Sequence, residues 1–370
     1  MANTFGHNFR VTTFGESHGG AVGVVIDGCP SGYKIDIEYI QTWLDRRKPG
    51  QSHLSTPRAE LDQVECLSGL VDGISLGTPI TLIVRNKDAK KDHYNDLAKV
   101  YRPSHADYTT DVKFGVKAPS GGGRASARET IGRVAAAAVA EQVLTTILPN
   151  LKVVAFVKSI KDSIANNINI ETVTREMVEA GPLRCPDKES YKTLENEILK
   201  AKKMGDSVGG TIECVVRNLP AGIGEPVFEK LEAKLAGAML SIPATKGFEI
   251  GSGFEGTKLY GSEHNDRFKI KDDGQVETET NRSGGIQGGI SNGENIYFKV
   301  AFKPTATIFK KQKTVTREQT EIEMAPKQGR HDPCVLPRAV PIVEAMTLLT
   351  ITDQLLRQEI WKSFRGPEKV

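Results

Sequence analysis

Cysteine is scarce in this chain of 370 residues. There are five, Cys29, Cys66, Cys185, Cys214 and Cys334, odd in number and with no Cys-x-x-Cys pair. That argues against a disulfide framework and offers no zinc-site spacing; thiols kept reduced are the simpler reading. A charge excess is missing too: 49 basic and 46 acidic residues leave +3, too balanced for a nucleic-acid coat or a membrane-surface patch. No uncharged apolar run approaches the roughly 18 residues of a membrane span, and the Ala-rich stretch at 134–148 is interrupted by Glu141 and Gln142. The start, Met1-Ala2-Asn3-Thr4-Phe5, lacks the basic-then-apolar pattern of a signal peptide. No low-complexity linker divides the chain, and no dinucleotide fingerprint is read from it.

What is present reads as an ordinary globular protein, 38% hydrophobic and 26% charged, long enough to bury a sizeable core without disulfides. β-Branched runs predict strands at 22–26, 78–84, 211–216 and 296–302. Helices are predicted at 36–47, 126–148, 171–180, 190–204, 225–240 and 336–360, the last with a bend at Pro341. Strands and helices mix without a regular βαβ rhythm, which predicts an α+β fold. The chain also echoes itself at an offset of 190 residues: Gly15-Glu16-Ser17-His18-Gly19-Gly20 returns as Gly205-Asp206-Ser207-Val208-Gly209-Gly210, and Val25, Pro30 and Gly32 match Val215, Pro220 and Gly222. Further on, Ser68-Gly69 and His105-x-Asp107 are answered by Ser252-Gly253 and His264-x-Asp266. These matches predict an internal pseudo-duplication with equivalent strands at 25–26 and 215–216.

Five segments carry candidate chemistry, each with a plainer alternative. In Gly15-Glu16-Ser17-His18-Gly19, glycines permit close backbone approach around a His that exchanges protons near neutral pH; the alternative is a simple turn. In residues 120–129, glycines and Arg124 lead into a long helix, whose N-terminus favours an anion; Ser126 is equally read as an N-cap. This segment has neither the Gly-Lys-Ser/Thr of a P-loop nor the strand that precedes a dinucleotide fingerprint. His105, between Arg102 and Asp107, reads as a general acid or as a satisfied surface group. Gly329-Arg330-His331-Asp332-Pro333 crowds ionisable groups at a turn, though Asp before Pro is an ordinary turn starter. Lys303-Pro304-Thr305-Ala306-Thr307 reads as a cofactor edge or a loop exit. Together these features describe an enzyme acting on a small phosphorylated substrate.

Residues 15–30, 122–138 and 330–346 closely resemble the three signature segments of the chorismate synthase family, and 45–51, 100–108, 205–228, 284–291 and 303–307 resemble it too. The resemblance runs from Phe5 to about Gln358. It implies a β-α-β sandwich with helices between antiparallel sheets, in a single domain over 1–370. The duplicated halves would lie at about 5–150 and 200–310, with 311–370 completing the site. It implies a homotetramer, a cytoplasmic location (or a plastid one after loss of a transit peptide), and no nucleic-acid, membrane or metal partner. The implied reaction is a reduced-FMN-dependent 1,4-elimination of phosphate from 5-enolpyruvylshikimate 3-phosphate, giving chorismate in the shikimate pathway. A bifunctional form that also reduces FMN with NADPH is the alternative. By motif position, His18 would sit near the flavin ring and His105 near the leaving phosphate. Asp332, with Ser126, would support proton removal. Arg124, Ala125, Ser126, Pro243, Ala244, Gly288, Lys303, Pro304, Thr305, Ala306, Thr307 and Arg330 would contact flavin. Arg46, Arg47, His53 and Arg102 would bind substrate, with His53 standing where many members of the family carry a basic residue, often Arg.

Overall fold

The computed structural model describes residues 2–17, 19–55, 60–86, 99–116, 122–326 and 331–366. Ten strands form two five-stranded antiparallel sheets. The first holds β1 (Thr4–Phe5), β2 (Arg10–Gly15), β3 (Ala21–Asp27), β4 (Val64–Ser68) and β5 (Ile80–Arg85), in the order β1-β2-β3-β5-β4. The second holds β6 (Lys152–Ile160), β7 (Ser163–Ile164), β8 (Gly210–Arg217), β9 (Thr245–Ile250) and β10 (Ile296–Phe302), in the order β7-β6-β8-β10-β9. Both central strands are β-branched runs; β3 buries Val22, Val24 and Ile26 on one face, whereas β8 is buried on both, as a strand covered on each side requires.

The two central strands end alike. After β3, Gly32 N donates to Ser75 O (2.8 Å), Tyr33 N donates to Ser75 Oγ (3.0 Å), and that hydroxyl donates to Pro30 O (2.7 Å). After β8, Gly222 N donates to Ser291 O (2.8 Å), Ile223 N donates to Ser291 Oγ (2.9 Å), and Ser291 Oγ donates to Pro220 O (2.6 Å). Ile26 then pairs with Ile80 at the start of β5, as Val216 pairs with Ile296 at the start of β10. The echo at constant offset holds over these strands and turns but not ahead of them. Gly15 ends β2, whereas Gly205 follows a helix, Lys188–Lys203.

Helix α1 (Ile37–Arg47) starts at Asp36, whose side chain accepts from Glu38 N. The short helix α2 spans Asp107–Phe114, and α3 spans Thr130–Ile147. The helix expected from 126 begins at 130, because two 3₁₀ turns, Gly123–Ala125 and Ala127–Glu129, precede it and Ser126 caps the second. Helix α4 is Arg175–Glu179, shorter than expected, with Thr174 as its cap; α5 is Lys188–Lys203 and α6 is Leu231–Leu240. The last, α7, runs through Pro341 from Leu336 to Phe364. Helix α3 packs on β2, β3 and β5, α7 packs on β6 and β8, and the two helices pack on each other.

Small side chains allow that contact. Ala135 to Ala140 are all buried, and a Cβ at Gly132 would meet Gly23 O at 2.8 Å. The absent side chain at Gly132 brings the first turn of α3 down onto β3, fixing the loop ahead of it. Helix α7 is long and apolar enough to cross a membrane, but 94% of its apolar stretch is buried within the protein. Its hydroxyls are satisfied internally: Thr347, Thr350 and Thr352 each donate to the carbonyl four residues earlier at 2.8 Å. Its buried Glu344 accepts from Arg46 (2.7 Å) and from Ala155 N (3.0 Å), tying the helix to β6. All five cysteines are free thiols.

Candidate functional site

A cavity of about 520 Å³ opens where the turns ahead of α3 meet four other segments: 102–106, 243–246, 303–307 and 331–338. Its volume is in the range of small-molecule and cofactor sites. Arg102, His105, Arg124, Ala125, Ser126, Pro243, Ala244, Lys303, Pro304, Thr305, Ala306, Thr307, Asp332 and Arg47 all line it. Segments more than two hundred residues apart in sequence therefore converge on one space. Ser104 and Ala244 adopt left-handed backbone (φ 57° and 73°) at its wall, a conformation non-glycine residues hold only under constraint. Lys303 links the two, its N donating to Ala244 O and its Nζ to Ser104 O (2.8 Å).

The lining is strongly cationic: Arg47, Arg102, Arg124, Arg128, Arg133, Lys246, Lys303 and Arg338 stand against two carboxylates, Glu129 and Asp332. That excess favours an anion. Most of the guanidiniums are held by carboxylates. Buried Asp62, itself at φ 47°, accepts from both Arg47 Nη2 (2.6 Å) and Arg128 Nη1 (2.8 Å). Arg102 grips both oxygens of Asp107 at 2.7 Å. Arg133 Nε donates to Glu129 (2.9 Å), which also accepts from Thr13 Oγ1 (2.7 Å). Arg338 pairs with Asp332. Arg124 is held by β2, donating to Thr13 Oγ1 (2.7 Å) and to Gly15 O (3.2 Å). Among the described residues Lys246 has no ion-pair partner.

Two histidines face this charge. His105 is no surface loop residue; its Nδ1 lies 2.9 Å from Asp107 Oδ1, at ion-pair distance though off the direction of a well-formed hydrogen bond. Burial opposes ionisation of Asp107, but His105 and Arg102 outweigh it and hold that carboxyl well below the usual range. The second is His331. Burial chiefly, then the Arg102 charge, push its imidazole down to about 4, against the pull of Asp332 and with a smaller push from His105. It is a neutral ring at neutral pH. The loop behind it is anchored: Thr305 Oγ1 donates to Asp332 O (3.0 Å), Val208 N to Pro333 O (2.9 Å), and Ser207 Oγ to Thr305 O (2.8 Å).

Three expected residues lie elsewhere. Arg46 does not line the cavity; its guanidinium is taken by Glu179 (2.8 Å) and Glu344 (2.7 Å) and stacks over Trp43, so it joins α1 to α7. His53 sits on the surface with Glu195 at 3.1 Å. Gly288 belongs to the turn between Ile286–Gln287 and Ile290–Ser291, away from the lining. His18 and Arg330 lie outside the described residues. Ser126 Oγ accepts from Arg128 N (3.3 Å) as an N-cap, and the residue also lines the cavity. The sequence reading did not single out His331, Glu129, Lys246 or Ser241, which also line the site. His331 was the most legible of these, beside Asp332 in a motif already marked.

A Gly-x-Gly-x-x-Gly spacing, missed in the sequence, does occur: Gly251-Ser252-Gly253-Phe254-Glu255-Gly256. It follows β9, an antiparallel edge strand, and opens a helix of only four residues, Gly253–Gly256. The βαβ unit that gives the spacing its meaning is not there.

Comparison with known proteins gives one answer. The family model described as chorismate synthase matches residues 9–356. The chorismate synthase of Trichormus variabilis is 59% identical over 357 residues, covering 96% of this chain and 98% of its own. That of Prochlorococcus marinus is 59% identical over 357 residues, covering 96% and 97%. A solved structure titled "Crystal Structure of Chorismate Synthase" matches with a TM-score of 0.73 at 28% identity, over 96% of this chain and 93% of that one.

Proposed function

The chain belongs to the chorismate synthase family and has that family's lyase activity, and we propose that the cavity above is where the reaction runs, with reduced FMN as its cofactor. The substrate is 5-enolpyruvylshikimate 3-phosphate, which loses phosphate and a ring hydrogen. The observation that carries this reading is the convergence of Arg102, His105, Arg124–Ser126, Lys303–Thr307 and Asp332 on one cationic cavity.

The lining suits a flavin. Arg124, Ala125, Ser126, Pro243, Ala244 and residues 303–307 offer backbone groups, hydroxyls and an ammonium along one wall, and we assign the cofactor to them, with Arg330 and His18 beside it by motif. When bound, reduced FMN supplies an electron-rich ring that promotes C–O cleavage without net redox change. Arg47 and Arg102 hold the anionic groups of the substrate, each with its fork pre-set by a carboxylate. His105 gives a proton to the departing phosphate. Asp332, kept in place by Arg338, supports proton removal together with Ser126. His331 and Lys246 add a neutral and a charged contact.

The fold is proposed to be a β-α-β sandwich made of one duplicated unit. The matching order of three strands in each sheet, β3-β5-β4 and β8-β10-β9, and the matching turns at Pro30–Ser75 and Pro220–Ser291 support this. The halves are residues 5–150 and 200–310, within a single domain that 311–370 completes. A homotetramer is supported by exposed apolar side chains such as Phe228, Phe254, Tyr260 and Ile270, and a cytoplasmic location by the free thiols. The bifunctional form with NADPH finds no support in the comparisons. The test is an anaerobic assay of phosphate release with dithionite-reduced FMN, with oxidised FMN, and with oxidised FMN plus NADPH. Turnover is expected with reduced FMN alone; equal turnover with oxidised or absent flavin sinks the reading.

A further inference from the structure

We propose that Asp107 is a positioning residue that sets the orientation and proton placement of His105 through its Nδ1. The inference rests on the reading of His105 as the proton donor to the leaving phosphate. Asp107 is the first residue of α2, where a carboxylate ordinarily satisfies free N–H groups of its own helix. Here Ala106 caps that helix without any side-chain hydrogen bond, and the carboxylate turns to Arg102 and His105 instead. Oδ1 lies 2.9 Å from His105 Nδ1 and 2.7 Å from Arg102 Nη2. Oδ2 accepts from Arg102 Nε at 2.7 Å and from Arg102 N at 3.3 Å. With both oxygens gripped by Arg102, the carboxylate cannot rotate, and its side chain is only 11% exposed.

The other edge of the imidazole faces the glycine turn ahead of α3. A Cβ built on Gly122, at φ +88°, would stand 3.3 Å from His105 Cε1 and 3.6 Å from Nε2. The absent side chain leaves room beside that edge. With the Nδ1 proton directed at the carboxylate, Nε2 becomes the nitrogen that exchanges a proton with ligand in the cavity. The carboxylate also stabilises the imidazolium that this role needs. The charged and titratable groups facing His105 are Asp107 and Arg102 on its own segment, Lys303 through the Ser104 carbonyl, and His331 with Asp332 behind it. Asp107 is the one anion among them in direct reach of the ring. The present alignment at Nδ1 is loose, as unliganded proton-transfer sites often are.

The test combines ¹⁵N NMR of the imidazole-labelled full-length protein with kinetics of Asp107→Asn, His105→Ala and the double variant. In the wild type, the neutral His105 ring is expected to carry its proton on Nδ1, and Asp107→Asn to shift that proton toward Nε2. The kcat of Asp107→Asn is expected to fall about 10²-fold, within what one positioned proton donor contributes. The double variant is expected to be no slower than His105→Ala, since residues acting as a unit are not additive. An Nε2–H ring in the wild type overturns the inference without any variant. So does an unchanged tautomer in Asp107→Asn, or losses that multiply in the double variant. Near wild-type kcat in His105→Ala would defeat the proton-donor reading instead, and the wild-type tautomer would still decide the role of Asp107.

Discussion

In the first sheet the chain leaves its central strand through Pro30 and is caught by Ser75; in the second it leaves through Pro220 and is caught by Ser291, with the same three hydrogen bonds. Ahead of those strands the halves part. In the first, the loop at 16–20 follows β2 directly and carries His18. In the second, the matching loop carries Val208, which is buried, and works as a brace: Gly205 O accepts from Phe309 N, Ser207 holds Thr305, and Val208 N holds Pro333. The same contrast recurs further on. His105 lines the cavity and stands 2.9 Å from Asp107, while His264 bonds Ser252 Oγ (2.9 Å) and Asp266 accepts from Thr280 Oγ1, Arg282 N and Ser283 N. His105 faces the cavity, whereas the second-half counterparts spend their hydrogen bonds on the loops around them.

The sharpest break of that comparison is kinetic. His105→Ala should lower kcat roughly 10²–10⁴-fold, the range for a lost acid or base, with flavin binding retained. His264→Ala should leave kcat within about two-fold, because its partner is Ser252 and not the ligand. Steady-state rates of both variants decide it: comparable losses would mean that the two motifs share the work.

The turns should behave alike instead. Ser75→Ala and Ser291→Ala each remove a hydroxyl that both donates and accepts, leaving Pro30 O or Pro220 O and one backbone N–H without it. Each should cost about 1–3 kcal/mol in denaturant unfolding, and by similar amounts. A large effect in one and none in the other would show that the shared geometry is not shared energetics.

A pH measurement locates where the halves meet, at the loop that Val208 braces. His331 is depressed to about 4 from 6.5. Its unfolded form therefore takes up a proton before its folded form does, so the stability it contributes is present above about 6.5 and is lost as the pH falls through 6.5 toward 4. After allowance for partial exposure, the wild type should lose about 1–2 kcal/mol more than His331→Asn between pH 7 and pH 5. Parallel stability profiles for the two proteins would contradict a buried neutral ring.

The smallest effect belongs to His53→Arg. His53 is exposed and paired with Glu195, so KM against pH should superimpose on the wild type within about two-fold. A tightening above pH 7 would return this residue to the ligand.

Much of this was legible in the sequence, for local reasons. The strands at 21–27, 210–217 and 296–302 are β-branched runs, α1 is announced by Asp36, and α7 by its long apolar pattern; each signal lies within the element it predicts. β1, β2, β4, β6, β7 and β9 were missed, although Lys152–Ile160 is as apolar as the strands that were found. The helix at 126 was placed early because the competition between a Ser126 cap and helix propagation cannot be weighed from composition. At the cavity, the motifs marked segments that line it but not which side chain of each turns inward. Arg46 and Arg47 are neighbours, yet successive helix positions point about 100° apart, so one meets Glu344 and the other the cavity. Ser75 and Ser291 escaped notice because the offset between them is 216, not 190, the loops ahead of them differing in length.

The guanidiniums of the cavity come already matched, Arg47 and Arg128 to Asp62, Arg102 to Asp107, Arg133 to Glu129, Arg338 to Asp332. A guanidinium has five N–H groups, so a bound carboxylate leaves donors for a visiting anion while cancelling much of the charge behind them. The phosphate set free is an anion like the group it came from, and a nest of bare cations would retain it. Matched pairs let it go, so the pattern of internal carboxylates governs how fast the site empties as well as how it fills.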